Sequence, residues 1–351
     1  ENETAYDSQW HIPTINPDAA VPGSGDMYFQ TDQVRHEEES AVFGELYIDL
    51  NDTTTVTLGH RKFDTETTLT GFVGTVWWPN YILYSATRPD NVNSTYDGKD
   101  SVSKINVSHQ VNNDVMIYGT VSEGYRPGGN NRTSQLGATY DADFLTNYEF
   151  GFKTILMDGK VRLNGAAYMM KWDDIQLGWF DPDISLLGLV DNIGAAQSKG
   201  FEIDSKMIVS DKLTVTFSYA KNDAKLTEDY NLRGSLAAKK NQDLPFTPDR
   251  KYNFGMTRDF SDSSRIDFNY VYVDQMWNDL FYDNRVMQGA YSIGNLSFTK
   301  DLGDQASLQI YVDNVFDEIA ELFINVEDIQ PLTTVNRPRT IGVKYSWKMN
   351  K

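Results

Sequence analysis

Residues 157–172 read MDGKVRLNGAAYMMKW, and the fold is decided in this stretch. Asp158-Gly159 is a tight-turn dipeptide, because glycine supplies a positive φ without steric cost. After it, Val161, Leu163, Gly165, Ala167 and Met169 take the odd positions, while Arg162, Asn164 and Tyr168 take even ones. A period of two belongs to a strand with one apolar and one polar face. The same period recurs in Leu213, Val215, Phe217 and Tyr219, and in Ile266, Phe268, Tyr270 and Tyr272. It returns in Ala306, Leu308, Ile310 and Val312, and in Ile341, Val343, Tyr345 and Trp347.

The connections sort by length. Polar turns fall at Asn51–Thr53, Val111–Asp114, Met157–Lys160, Ser210–Lys212, Ser261–Ser264 and Leu302–Gln305. Between them lie longer irregular stretches at 71–100, 126–143, 178–190, 227–248, 277–288 and 317–338. The pattern predicts about fourteen strands between residues 27 and 348, preceded by an N-terminal loop segment, 1–26. Amphipathic strands with short connections at one end and long ones at the other predict an all-β fold. It is an antiparallel transmembrane β-barrel with short periplasmic turns and long extracellular loops. Tyr118, Tyr168, Trp172, Tyr219, Tyr272 and Trp347 are placed at strand ends as interfacial aromatics. A soluble acidic all-β glycan-binding module is the alternative.

Composition narrows the function. Lys and Arg total 31 against 50 Asp and Glu, a net charge of −19, which excludes the basic face that nucleic-acid binding requires. Cysteine is absent, so thiolate metal sites and cysteine nucleophiles are excluded. The four histidines share no metal-ligand spacing, and no apolar run is long enough for a membrane-crossing helix. Glu1 to Tyr6 carry neither a basic nor an apolar signal-peptide region. Asp173-Asp174 and Glu37-Glu38-Glu39 are no catalytic pairs, since neighbours on a strand point to opposite faces. Asp181-Pro182-Asp183 and Tyr140-Asp141-Ala142-Asp143 lack a full calcium-ligand loop. No enzyme activity, metal site or cofactor is expected.

Longer strings carry a resemblance. SEGYRPGGNN (122–131) is followed by YDADFLTNYEFGFKTILMDGKVRLNGAAYMMKWDDIQ (140–176), NIGAAQSKGFEID (192–204) and LPFTPDRKYNFGM (244–256). LQIYVDNVFDE (308–318) and RPRTIGVKYSW (337–347) complete the series. In order and spacing these resemble the C-terminal part of the barrel of TonB-dependent outer-membrane receptors of the iron-complex type, over roughly residues 38 to 351. The string AVFGELYIDLNDTTTVTLGHRKF (41–63) is similar to a hairpin near the middle of that family's 22-stranded barrel. The resemblance implies the last two-thirds of such a barrel, without its plug, its energy-coupling segment or about eight preceding strands. The chain end resembles the family's assembly signal, here Thr340, Gly342, Tyr345 and Trp347, although it continues to Lys351.

What the resemblance implies is uptake of iron–siderophore or similar large nutrient complexes. It also implies contact with outer-membrane lipid and lipopolysaccharide, and recognition by the barrel-assembly machinery. Coupling to the TonB–ExbB–ExbD system would run only through a plug. A stand-alone passive channel of about fourteen strands is the other membrane alternative. Ligand contacts are expected where aromatics and arginines gather in the long loops. The candidates are Trp77, Trp78 and Tyr81; Tyr125 and Arg126; Trp179 and Phe180; and Trp277, Phe281, Tyr282 and Arg285. Aromatic planes and guanidinium groups suit siderophore or sugar faces. In the last long loop Ile319, Leu322 and Phe323 have helical spacing and predict a short helix.

Overall fold

The computed structural model describes residues 1–11, 26–75, 90–132, 138–179, 188–232, 235–260, 262–281, 285–303, 305–326 and 331–348. Fourteen antiparallel strands form one sheet in simple up-and-down order. They are β1 (Asn2–His11), β2 (Met27–Asn51), β3 (Thr54–Thr75), β4 (Val92–Asn112) and β5 (Val115–Arg126). Then come β6 (Asp143–Leu156), β7 (Val161–Asp173), β8 (Ala196–Ser210), β9 (Leu213–Leu226) and β10 (Arg250–Asp259). The last are β11 (Ser264–Val273), β12 (Tyr291–Asp301), β13 (Ala306–Asp313) and β14 (Thr340–Trp347). β1 and β14 are the two edges of the sheet; among the described residues they do not pair with each other.

The tight turns form for local reasons. Asn51 Oδ1 accepts the Thr53 backbone N–H at 2.9 Å, and Asn112 Oδ1 accepts that of Asp114 at 2.8 Å. These side chains imitate a backbone turn. At the β6–β7 turn Met157, Asp158 and Gly159 all have positive φ, at 54°, 53° and 85°. Registers then carry the two-face pattern from strand to strand. Leu46, Leu58, Ile105, Val121 and Tyr148 lie opposite one another in succession on the outer face. So do Met256, Phe268, Leu296, Val312 and Ile341. Thr57, Asn106, Thr120, Glu149, Tyr168 and Gly200 form the corresponding inner row.

Much of the outer face is exposed, with Ile105 at 51% and Ile341 at 70%. Hydrocarbon, not water, is the solvent such a continuous apolar belt requires, and the soluble-module alternative fails on it.

Four expectations change. Asn2–His11, assigned to a loop segment, is a strand paired with β2. Both of its faces are polar, so the alternation carries no apolar signal. The stretch read as a helix forms a hairpin instead, Glu321–Asn325 with Leu332–Val335. Three apolar residues suit either period, and pairing decides. β3 runs to Thr75 and β4 starts at Val92, so the first long loop is shorter than 71–100. Tyr118 and Tyr168 belong to the inner face, not to an aromatic girdle. Tyr118 donates to Glu149 at 2.6 Å, and the two rings lie over Gly151 and Gly200, where a Cβ would strike them.

Candidate functional site

The extracellular ends of the strands carry two different constructions. Over β7 to β11 the loops pack an apolar core of Ile175, Ile193, Leu226, Tyr230, Leu244 and Leu280 with flanking residues. Over β2 to β4 the chain leaving β5 folds inward instead. Tyr125 stacks on Phe63 with centroids 3.8 Å apart, and its hydroxyl donates to Glu39 at 3.3 Å. Gly128 passes against the Tyr96 ring, where a side chain would not fit, and Asn130 Nδ2 reaches Ser94 at 2.9 Å. This segment therefore crosses the inner face of the long strands.

The expected ligand contacts divide accordingly. Trp77, Trp78, Tyr81, Phe180 and Tyr282 lie outside the described residues, and Trp179 is described only as backbone paired with Leu189. Arg126 is held from both sides. Its Nε donates to both oxygens of Asp143 at 3.1 and 2.9 Å, and its Nη2 to the Gln176 carbonyl at 2.8 Å. Asp143 is 1% exposed and accepts the Gln176 backbone N–H as well. The guanidinium also sits 4.8 Å over Trp172. Arg126 thus fastens a strand end to the β7–β8 loop. Arg285 is similar: it lies 4.2 Å over Trp277 and donates to the carbonyls of Asp243 and Asp279 at 3.1 Å each. Phe281 packs on the apolar core beside Tyr230, at 6.1 Å. These five side chains knit loops together; they do not converge on one point.

The structure brings together residues that sequence reasoning passed over. On the inner face of β1 and β2, Tyr6, Gln33 and Arg35 meet Arg132 of the incoming segment. Arg132 lies 4.0 Å and Arg35 5.5 Å from the Tyr6 ring centroid. Arg132 Nε donates to Gln33 Oε1 at 3.0 Å, and Arg35 Nη2 to the Asn130 carbonyl at 2.8 Å. Burial pulls the Arg132 guanidinium below its usual pKa and pushes the neighbouring Tyr140 phenol up. A cavity of about 330 Å³ opens beside them, lined by Arg35, Thr65, Thr67, Gly128 and Tyr140 and by the acidic Glu1, Glu37, Glu38 and Glu39. The missed signal was a shared inner-face parity of Gln33 and Arg35 on one long strand.

The inner wall below is hydrophilic throughout. One cavity of about 520 Å³ is lined by Lys153, Asn164, Glu202, Asp204 and Lys251 with their neighbours. Another of about 640 Å³ is lined by Thr214, Thr216, Thr257, Asn269, Asn295 and Gln309 with theirs. Charged side chains line both cavities, since Asp267, Asp313 and Lys344 also face the second. In the C-terminal strand, Thr340 and Gly342 face inward, and a Cβ on Gly342 would collide with the Tyr311 ring. Tyr345 and Trp347 stand on the outer face, 62% and 58% exposed. Among the described residues no group of acidic or histidine side chains is arranged to hold a metal ion.

Comparison with known proteins follows the same lines. The chain is 28% identical over 157 residues to the metal-pseudopaline receptor CntO of Pseudomonas aeruginosa, which covers 43% of this chain and 21% of that protein. It is 24% identical over 255 residues to the pesticin receptor of Yersinia pestis, covering 69% and 35%. The fold superposes on the ferric yersiniabactin uptake receptor FyuA of Yersinia pestis with a TM-score of 0.77 at 19% identity, over 97% of this chain and 48% of that one. The siderophore receptor PiuA of Acinetobacter baumannii gives 0.71 at 15%, over 91% and 44%. The chain therefore spans less than half the length of these relatives. The family model described as TonB dependent receptor-like, beta-barrel matches residues 2–315. The chain belongs to that family of outer-membrane receptor barrels.

Proposed function

We propose that this chain forms the larger part of the wall of an outer-membrane importer for a metal chelate, driven through the TonB–ExbB–ExbD system. The observation that carries the reading is the sheet itself. It has an apolar outer face, a hydrophilic inner face and two edges that do not pair among the described residues, the faces a lipid-embedded wall around an aqueous lumen needs. A plug would occupy that lumen and transmit the pull. The relatives' names, a metal-pseudopaline receptor and a ferric yersiniabactin receptor, support a chelated metal as cargo. The barrel-assembly machinery would insert the wall, and lipopolysaccharide would meet its extracellular flank.

The test is uptake of radiolabelled ferric chelates by cells expressing the gene from its native locus. Uptake that stops with a protonophore and with loss of TonB is the expected result. Leakage of small solutes that is indifferent to both would replace it with a passive channel.

A further inference from the structure

Where the apolar outer face ends, its charge differs from sector to sector. Register places Met169, Lys199 and Asp223 in line with Tyr148 on the outer face. Lys171 shares the parity of Met169, Lys221 shares that of Asp223, and Arg250 lies opposite Lys221. Four consecutive strands, β7 to β10, thus each turn one cation outward: Lys171, Lys199, Lys221 and Arg250. All four residues are exposed.

Their height is nearly uniform. Lys171 stands ten residues from Val161, Lys199 eleven from Ser210, Lys221 eight from Leu213 and Arg250 nine from Asp259, each counted from an inner turn. At about 3.3 Å per residue and a tilt of about 40°, this is about 20 to 28 Å. An apolar band is about 25 Å tall, so the row lies at its extracellular boundary. The spacing of neighbouring strands makes the row about 15 Å wide. Beneath it the outer face continues in Ile203, Tyr219 and Tyr252. Phe201 packs 5.7 Å from Tyr219 and Tyr272 4.8 Å from Tyr252, between ring centroids.

Carboxylates do not neutralise the row. Asp274 holds Arg250 at 2.8 Å, and Asp223 reaches Lys199 at 3.6 Å but is closer to Lys225, at 2.7 Å. Asp173 ends β7 two residues beyond Lys171, which leans over the Tyr148 ring at 5.9 Å. Among the described residues neither Lys171 nor Lys221 forms an ion pair. The long panel is different. At the same height β3 turns Lys62, Asp64 and Glu66 outward, while β2 and β4 offer only Val42 and serines. In a chain of net charge −19, one outward cation on each of four adjacent strands is a local exception.

We infer that Lys171, Lys199, Lys221 and Arg250 form a binding site for lipopolysaccharide, holding the phosphates of its lipid A anchor in the outer leaflet. The inference rests on the outer-membrane reading above and adds where on the wall this lipid is held. Cations at that height meet the phosphates of a leaflet and not its acyl chains. Arg250 bonds Asp274 through Nε, and its Nη groups remain for a phosphate. Lipid A carries a phosphate at each end of two linked sugars, which suits a row; a phospholipid brings one phosphate and suits a point. Ile203, Tyr219 and Tyr252 receive the acyl chains beneath.

The experiment expresses the gene from its native locus, purifies the protein from outer membranes in detergent and titrates it with bisphosphorylated lipid A. Native mass spectrometry reads the binding. Each cation facing an anionic lipid is worth about fivefold in affinity, so Lys171→Gln combined with Lys221→Gln should weaken binding about thirtyfold. Neither lysine holds an ion pair, so this double variant should keep the wild-type thermal midpoint in the absence of lipid. Lys62→Gln, at the same height on the long panel, should leave the affinity within about twofold. Lipid A stripped of both phosphates should bind the wild type at least as weakly as intact lipid A binds the double variant. No loss in the double variant, or an equal loss in Lys62→Gln, overturns the site and leaves the importer reading to its uptake test. Phosphatidylglycerol binding as tightly as lipid A overturns the choice of lipopolysaccharide. Recovery of the protein in the soluble fraction overturns the outer-membrane reading and the site together.

Discussion

β2, β3 and β4 run for 25, 22 and 21 residues, whereas β10 to β14 run for 8 to 11. About 9–11 residues suffice to cross a membrane, so the first panel continues far beyond it and the second does not. The long panel gains its height from backbone pairing. Its extra inner face is then free to be polar, and it carries the ion pair of Glu39 with Arg61 and the unpartnered donors at Gln33 and Arg35. The short panel hands its height to loops, and loops hold together only by packing. Leu226, Leu280, Ile175 and Ile193 are accordingly almost completely buried in their core. Height from backbone pairing and height from loop packing are thereby divided between two sectors of one wall.

The largest effect should come from breaking the loop core. Leu226→Ala removes a side chain that is 1% exposed at the end of β9, and should cost about 3 kcal/mol. Protease sites in the loops above β7 to β11 should open while the β2–β3 hairpin stays protected, as limited proteolysis with mass spectrometry would read. Equal opening of both panels would mean that they melt as one unit and that the division is wrong.

Asp143→Ala probes the seam between the panels. It strips Arg126 and the Gln176 N–H of a nearly fully buried acceptor. A loss of about 2 kcal/mol is expected, reduced from a fully buried pair because Arg126 is half exposed. Release of residues 126–132 from the inner face should follow. Unchanged hydrogen exchange in that segment would remove Arg126 from its fastening role.

Gly342 and Gly44 make a paired test at the level of the membrane. A Cβ at Gly342 would strike the Tyr311 ring, while nothing lies within 4 Å of one at Gly44. Gly342→Ala should cost about 1–2 kcal/mol and Gly44→Ala less than about 0.5. Adding Tyr311→Ser should recover most of the first loss. The readout is the temperature at which the barrel loses its fast gel mobility. Failure of the rescue would leave Gly342 to the assembly machinery alone.

How much of this the sequence disclosed depends on the solvent each face meets. Where one face meets lipid, alternation is loud: Leu213 to Tyr219 and Ile341 to Trp347 could be placed by period alone, and their tight turns with them. β1 was hidden because both its faces are largely polar in sequence, and Thr4, Tyr6 and Ser8 look no different from Glu3, Asp7 and Gln9. The group of Tyr6, Gln33, Arg35 and Arg132 was hidden for a second reason. Arg132 meets Gln33 across 99 positions, through a segment that crosses the inner face, and no local pattern encodes that. Aromatic and arginine density in the loops pointed to Arg126, Trp277 and Arg285, which physical contact reveals as braces. Such clusters stack well with one another, and that is sufficient reason for their presence.

The smallest effect lies at the inner turns. In the long panel the β2–β3 turn is closed by Asn51, which does not titrate. In the short panel the β11 turn and β12 are joined through Asp262, whose carboxylate accepts from the Ser264 hydroxyl and the Lys300 ammonium and is held down to about 2 from its ordinary 3.8. A folded-state value below the unfolded one means that the stabilisation is complete above about pH 4 and disappears as pH falls toward 2. The turn is fully exposed, so solvent screening keeps the contribution small. Asp262→Asn should therefore leave the thermal midpoint nearly unchanged at pH 7 and flatten only its acid branch, while Asn51→Asp, which keeps the turn acceptor but makes it titratable, should leave the midpoint at pH 7 and add a small acid branch of its own. An acid branch identical in wild type and Asp262→Asn would mean that Lys300 finds the Asp262 carbonyl as good a partner as the carboxylate, and that both panels end in turns held by backbone geometry alone.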